Sequence, residues 1–206
     1  MIERVPFDTS SERHAAFIVM HAMHTPWTTD EYPHLTGLQV PVTLMVHRAD
    51  GKIGFPGGMA DGDETPEEAL VREAAEEAYM MIQVDNIEPL AAYREDSGLI
   101  VRTYTEESTF ESLLYRQRMA ERAKHFGSEI TGIILPHLVD FRDYGARHGG
   151  LINVLRTPSA SAVPYELGLL VQKTGFYDRA KIDALSTSLG YQLDYWDGTA
   201  DPETTS

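Results

Sequence analysis

The sequence contains no cysteine, no long apolar run and few basic residues. Without a Cys among its 206 residues, the chain can form no disulfide, no thiolate zinc site and no cysteine nucleophile. No apolar run is long enough to span a bilayer, and residues 1–12 lack the basic head and apolar core of a secretory signal. We therefore expect an intracellular, soluble protein without a membrane partner.

The shortage of basic residues bears on the possible partners. Lys and Arg number 17 against 32 Asp and Glu, for a formal net charge of −15. Because Lys and Arg contacts to phosphates drive binding to polyanions, we expect no extended nucleic-acid binding. The best local candidate for such binding is the predicted helical run 109–125, with Arg116, Arg118, Arg122 and Lys124. A solvated helix face is the simpler interpretation of that run.

The length, with 42% hydrophobic and 24% charged residues, predicts one globular domain over residues 1–206, with 199–206 as a flexible tail. Apolar runs and turn residues predict an alternation of strands and helices. Strands are expected over residues 13–20, 40–47, 90–94, 99–104 and 130–139, and helices over 109–123, 164–174 and 177–190. In the loop after the first strand, Trp27 and Tyr32 are either stacking partners for a base or packing aromatics.

The residues with the clearest chemistry lie between positions 58 and 80. Glu73, Glu76 and Glu77 are spaced i, i+3 and i+4, so a helix carries them on one face. Three ionised carboxylates repel one another there, and a hard divalent cation such as Mg²⁺ removes that penalty. The spacing therefore indicates a metal site.

The helix that carries these carboxylates has clear start signals. Thr65 is a good N-cap, Pro66 suits the first helical position, and Glu68 completes a capping box. An apolar flank lies beside the acidic face, made of Leu70, Val71, Ala74 and Ala78. The helix can thus pack on a sheet while its glutamates point outward.

The pattern G-x5-E-x7-R-E-x2-E-E begins at Gly58 and resembles the Nudix box of the Nudix hydrolase superfamily. Tyr79 departs from it, because the box has a glycine at this position to ease the helix end. Four further segments resemble the subfamily of U8 snoRNA-decapping, inosine-diphosphate-hydrolysing enzymes: RHAAFIVMHA, DGKIGFPGGMAD, the Tyr-Arg pair 93–94 and HFGSEITGIILP. The resemblance implies an α/β Nudix fold, with a mixed β-sheet between α-helices, and a homodimer.

The resemblance also implies the site. The metal ligands, for Mg²⁺ or Mn²⁺, would be Gly57 through its carbonyl, Glu73, Glu76, Glu77 and Glu129. In the expected mechanism the metal lowers the pKa of a bound water, and Glu77 or Glu129 takes the proton. Arg72 is expected to orient the glutamates.

Substrate contacts are implied for Phe17, Arg48, Phe55 and Glu166. Phe17 stands where the subfamily has a base-contacting histidine, and Glu166 lies near the place of a purine-contacting glutamine. Ser97, with Glu95 and Asp96 beside it, falls where the subfamily has a metal-proximal histidine. These differences leave the base preference open.

Three functions therefore remain under consideration. The first is hydrolysis of a diphosphate linkage in nucleoside diphosphates or capped RNA 5′ ends. The second is the same chemistry on ADP-ribose or a dinucleotide. The third is a nucleotide sensor without catalysis, which we would expect to lack some of the box glutamates, whereas this chain keeps all of them.

Overall fold

The computed structural model describes residues 2–25, 36–140, 150–160 and 162–194. Trp27, Tyr32 and the predicted tail 199–206 lie outside the described residues. The strands are β1 (Ile2–Val5), β2 (His14–His24), β3 (Val40–Thr43), β4 (Met45–Arg48), β5 (Ile53–Gly54), β6 (Gly57–Met59), β7 (Glu88–Glu95), β8 (Ile100–Glu107) and β9 (Ile130–Ile134). The helices are α1 (Pro66–Ala78), α2 (Phe110–Met119), α3 (Leu151–Arg156), α4 (Val163–Lys173) and α5 (Arg179–Leu189).

A mixed sheet with the strand order β1-β7-β8-β2-β3 forms the centre of the fold. Strand β2 runs parallel to β8 along one edge. Along its other edge, the first half of β2 pairs with β6 and the second half pairs with β3. A second sheet has the order β5-β4-β9.

Apolar residues cover both faces of the mixed sheet, as the alternation of side chains along β2 shows. Ile18 and Met20 belong to a cluster that includes residues of α1 and α2, whereas Val19 belongs to a cluster with residues of α4 and α5. Successive strand residues point to opposite faces, so this continuous apolar run is buried on both sides. The predicted α/β fold, a mixed sheet between helices, is confirmed. Within the described residues no helix is long and apolar enough to cross a bilayer.

Helix α1 begins as the sequence predicts. The Glu68 N–H donates to the Thr65 hydroxyl at 3.2 Å, and the Thr65 N–H donates to the Glu68 carboxylate at 2.8 Å. The helix ends at Tyr79, which adopts the left-handed conformation at φ 55°. A side chain there costs about 1 kcal/mol relative to glycine. The chain thus forms the turn that a glycine would favour, with Tyr79 in its place.

Two strand predictions were partly wrong. The predicted strand 40–47 is divided at Leu44, because β3 pairs with β2 in the first sheet while β4 pairs with β9 in the second. The predicted strand 130–139 ends at Ile134. Leu138 and Val139 are fully buried outside a strand, so burial accounts for their apolar character. Strand β1 and helix α3 were not predicted.

Candidate active site

Two glycines bring strand β6 against the carboxylates of α1. Gly57 has φ +132°, and a Cβ added there would lie 2.1 Å from the carbonyl oxygen of Ala16. A Cβ on Gly58 would lie 2.8 Å from Cδ of Glu73. Only residues without a side chain allow this approach. Because the backbone lies this close, the Gly57 N–H donates a hydrogen bond to Oε2 of Glu77 at 3.2 Å.

Arg72 binds two acidic residues of the motif at once. Its Nε and Nη2 each donate to one oxygen of Glu64 at 2.9 Å, a bidentate pair. Its Nη1 donates to Oε1 of Glu73 at 2.7 Å, and Nη2 also reaches the carbonyl of Met59 at 2.9 Å. The hydrogen bonds from Arg72 lower the pKa of Glu64 to about 2. Such charge-assisted bonds hold Glu64 ionised and fix the position of Glu73.

Glu77 is the buried member of the acidic face, with a side chain only 6% exposed. Burial raises its pKa to about 7, against the opposing effect of the Gly57 hydrogen bond. The charges of Glu73 and Glu129 raise this pKa further, and that of Arg48 lowers it, so these groups all lie within electrostatic reach of Glu77. A nearby cation would favour the ionised form of this carboxyl group.

Two residues of the segment after α2 contact the remaining acidic groups. Lys124 Nζ lies 2.5 Å from Oε1 of Glu76, and this hydrogen bond lowers the pKa of Glu76. His125 Nδ1 lies 3.3 Å from Oε1 of the exposed Glu129, without hydrogen-bond geometry. The His125 N–H donates to the carbonyl oxygen of Glu76 at 2.9 Å. This segment therefore lies along the acidic face of α1.

The donor set suits a hard divalent cation, since carboxylate oxygens of Glu73, Glu76 and Glu77 lie on one helix face. No three acidic or histidine side chains of the described residues converge on one point as they stand. Arg72 holds Glu73 and Lys124 holds Glu76. Because the Lys124 side chain is 66% exposed, a cation can displace it from Glu76 at little cost.

All four predicted substrate residues line one cavity of about 110 Å³. They come from separate parts of the chain: Phe17 lies on β2, Arg48 on β4, Phe55 between β5 and β6, and Glu166 on α4. The other lining residues are mostly apolar and include Ala15, Leu99, Val101, Ala162 and Val163. The structure thus brings together residues that lie up to 149 positions apart, from 17 to 166.

The cavity is linked to the carboxylates by residues of its lining, since Arg48 lines it and the charge of Arg48 acts on Glu77. Phe17 pairs with Gly57 across β2 and β6, and Gly57 binds Glu77. Glu166 is 2% exposed and accepts a hydrogen bond from the hydroxyl of Thr103. Burial raises the pKa of Glu166 to about 7, with the Thr103 hydrogen bond acting in the opposite direction.

Some residues at the site were not singled out for it from the sequence. Lys124 was considered only as part of a basic run, and His125 and Thr103 were not proposed at all. Glu95 lines the cavity, whereas its neighbour Ser97 lies in the turn after β7 and accepts the N–H of Leu99 at 3.3 Å. For Glu95, the signal in the sequence was its position beside Ser97, where the subfamily has a metal-proximal histidine.

Helix-borne carboxylates at this spacing, held by an arginine and backed by two glycines, are the arrangement that the resemblance to the Nudix hydrolases implies. The chain belongs to the Nudt16-like family, described as U8 snoRNA-decapping enzyme-like, which matches residues 14–158. The match includes β2, the whole motif and all predicted site residues except Glu166.

Two U8 snoRNA-decapping enzymes agree with this assignment. The chain is 30% identical over 177 residues to the U8 snoRNA-decapping enzyme of Ovis aries. The aligned region covers 82% of this chain and 88% of that enzyme. It is 31% identical over 145 residues to the enzyme of the same name from Xenopus laevis, covering 68% of this chain and 65%, just under two thirds, of the frog enzyme. Among solved structures, a mutT/nudix family protein from Listeria innocua has a TM-score of 0.49 at 17% identity, covering 87% of this chain and 98% of that one.

Proposed function

We propose that this protein hydrolyses a diphosphate linkage in nucleoside diphosphates or in nucleotide-capped RNA 5′ ends. The observation that carries the proposal is the chain of contacts from the cavity to the acidic face of α1. Phe17 forms a wall of the cavity and pairs with Gly57, which binds Glu77. A base in the cavity would thus have its diphosphate beside the carboxylates. The names of the relatives support a decapping-type substrate.

In this proposal Glu73, Glu76 and Glu77, with the Gly57 carbonyl, hold Mg²⁺ or Mn²⁺, and Glu129 supports them. The bound ions supply charge for the diphosphate and activation of the attacking water. Arg72 keeps Glu73 in place through its 2.7 Å hydrogen bond. We assign the proton acceptor to Glu77 or Glu129, whose charges influence each other.

The cavity contacts suit a base through stacking. Phe17 and Phe55 present aromatic rings, which any base can stack on. Because stacking does not distinguish one base from another, an adenine fits the cavity as well. The second candidate is therefore the same hydrolysis on ADP-ribose or a dinucleotide. We further propose that residues 1–206 form a single catalytic domain and that it assembles as a homodimer, as the resemblance implies; light scattering after size exclusion measures that assembly.

A substrate panel tests the proposal. Native protein is incubated with Mg²⁺ or Mn²⁺ and with IDP, GDP, capped RNA, ADP-ribose or dinucleotide polyphosphates. Glu76→Gln should lower turnover by roughly 10³-fold, since it removes a metal ligand and its charge. The exposed Glu121→Gln is the matched control, with native activity expected. Substantial turnover by Glu76→Gln at saturating metal would contradict the proposed centre, and turnover of only ADP-ribose or dinucleotides would establish the second candidate.

A further inference from the structure

Four exposed residues lie on α2 and the segment after it: Tyr115, Arg118, Arg122 and Lys124, here called the basic strip. Tyr115 and Arg118 are spaced i, i+3, which places them on one face of α2. Arg122 lies in the 3-10 turn that continues α2. Tyr115 is 62% exposed, so its ring is accessible to a ligand.

The two arginines of the basic strip lie four positions apart in an acidic chain. Most basic side chains of the described residues have an acidic partner, as Arg116 has Glu106 and Lys173 has Glu88. Neither Arg118 nor Arg122 pairs with any acid of the described residues. With 32 acidic residues against 17 basic ones, two adjacent unpaired arginines are available to an anionic partner.

The basic strip ends at the catalytic carboxylates. Its last member, Lys124, contacts Glu76 at 2.5 Å, while residues of the cavity lining link the cavity to Glu77, the next residue. A capped RNA with its base in the cavity and its diphosphate at the carboxylates would therefore place its following nucleotides along the basic strip.

We propose that the basic strip binds the first nucleotides of a single-stranded RNA whose capped 5′ end occupies the site. The inference rests on the proposed function and deepens it. Arg118 and Arg122 contact phosphates, and Tyr115 offers a stacking surface for a base, the combination that serves single-stranded nucleic acid. Glu111 lies on the same face beyond Tyr115, and Glu121 lies beside the arginines. These acids limit the contact to a few nucleotides, in keeping with the net charge.

Fluorescence anisotropy with a labelled, capped RNA of about 10 nucleotides, in EDTA and across a range of KCl, measures the binding. The test variant is Arg118→Glu/Arg122→Glu, and the matched control is Arg94→Glu/Arg179→Glu, which changes the net charge equally at exposed positions. Hydrolysis of GDP in Mg²⁺ is measured in parallel for each protein.

The test variant should bind the RNA about 10-fold more weakly, with a salt slope lower by about 1.4, at roughly 0.7 per phosphate contact. Tyr115→Ala should also weaken binding, and GDP hydrolysis should equal the native rate in both. Equal RNA affinity in the test and control variants, or no RNA affinity in the native protein, would overturn the inference. Failure of the proposed function would appear differently, as native protein that hydrolyses neither GDP nor capped RNA. The anisotropy measures RNA binding in EDTA and does not depend on hydrolysis.

Discussion

Glu166 is a buried carboxyl group at the wall of the cavity, and within the described residues its one hydrogen-bond partner is a hydroxyl group. Its side chain is 2% exposed, and the hydroxyl of Thr103 donates to it. We expect that Glu166→Gln, a nearly isosteric change that keeps an acceptor for Thr103, will stabilise the protein at alkaline pH. The cause is the cost of burying an ionised carboxylate without a cationic partner.

The pKa of Glu166 gives the size and the sign of the effect. Burial raises this pKa from 4.5 to about 7. Between these values the unfolded chain loses its proton before the folded chain does, so the contribution of Glu166 to stability falls as the pH rises through this window. The full shift corresponds to about 3 kcal/mol of unfolding free energy above pH 7. At about pH 4, below both pKa values, native protein and Glu166→Gln should have equal stability.

Urea unfolding of native protein and Glu166→Gln across this pH range, in EDTA, measures the difference. The variant should be more stable at pH 8 by up to about 3 kcal/mol, a difference that disappears at acid pH. Glu77 also has a pKa of about 7, but it is present in both proteins and cancels. The exposed Glu12→Gln should behave like native protein. A difference between native protein and Glu166→Gln that does not change with pH would refute the reasoning.

Three further predictions concern the site. Glu129→Gln should lower kcat by roughly 10²-fold with the fold intact, and an unchanged kcat across pH would assign Glu129 to the solvated surface. Phe17→His should increase selection among IDP, GDP and ADP in kcat/KM, because it adds a hydrogen-bonding group; a strong native IDP preference that the change does not alter would locate base recognition elsewhere. Gly57→Ala should lower the unfolding free energy by about 3 kcal/mol or more, since its Cβ would lie 2.1 Å from a carbonyl oxygen. Gly51→Ala is its control in thermal unfolding, having positive φ but open space, and an equal Tm loss would contradict the steric account.

Local spacing was enough to predict α1 and the face that carries Glu73, Glu76 and Glu77. The periodicity of a helix determines which residues share a face, whatever the helix packs against. The N-cap at Thr65 is likewise a contact over three residues, and the structure has it as expected. The Nudix fold followed from the same motif and the family from the four further segments, and both are confirmed.

Strand ends were harder to predict, because the apolar pattern reports burial and not pairing. Residues 40–46 are apolar apart from Thr43, yet the strand divides at Leu44, where the chain passes from one sheet to the other. Val139 is buried like a strand residue but has no strand around it. The partner strand decides these ends, and it lies elsewhere in the chain.

Only the tertiary structure decided the surroundings of the carboxylates. Lys124 reaches Glu76 across 48 positions of the chain, and Thr103 reaches Glu166 across 63. The burial that raises the pKa of Glu77 likewise comes from the packing of α1 against β6. Such contacts join segments whose separation in the sequence has no fixed relation to their distance in space. The residue types of the candidate site can therefore be predicted from the sequence, whereas their partners, burial and charge state depend on how the chain folds.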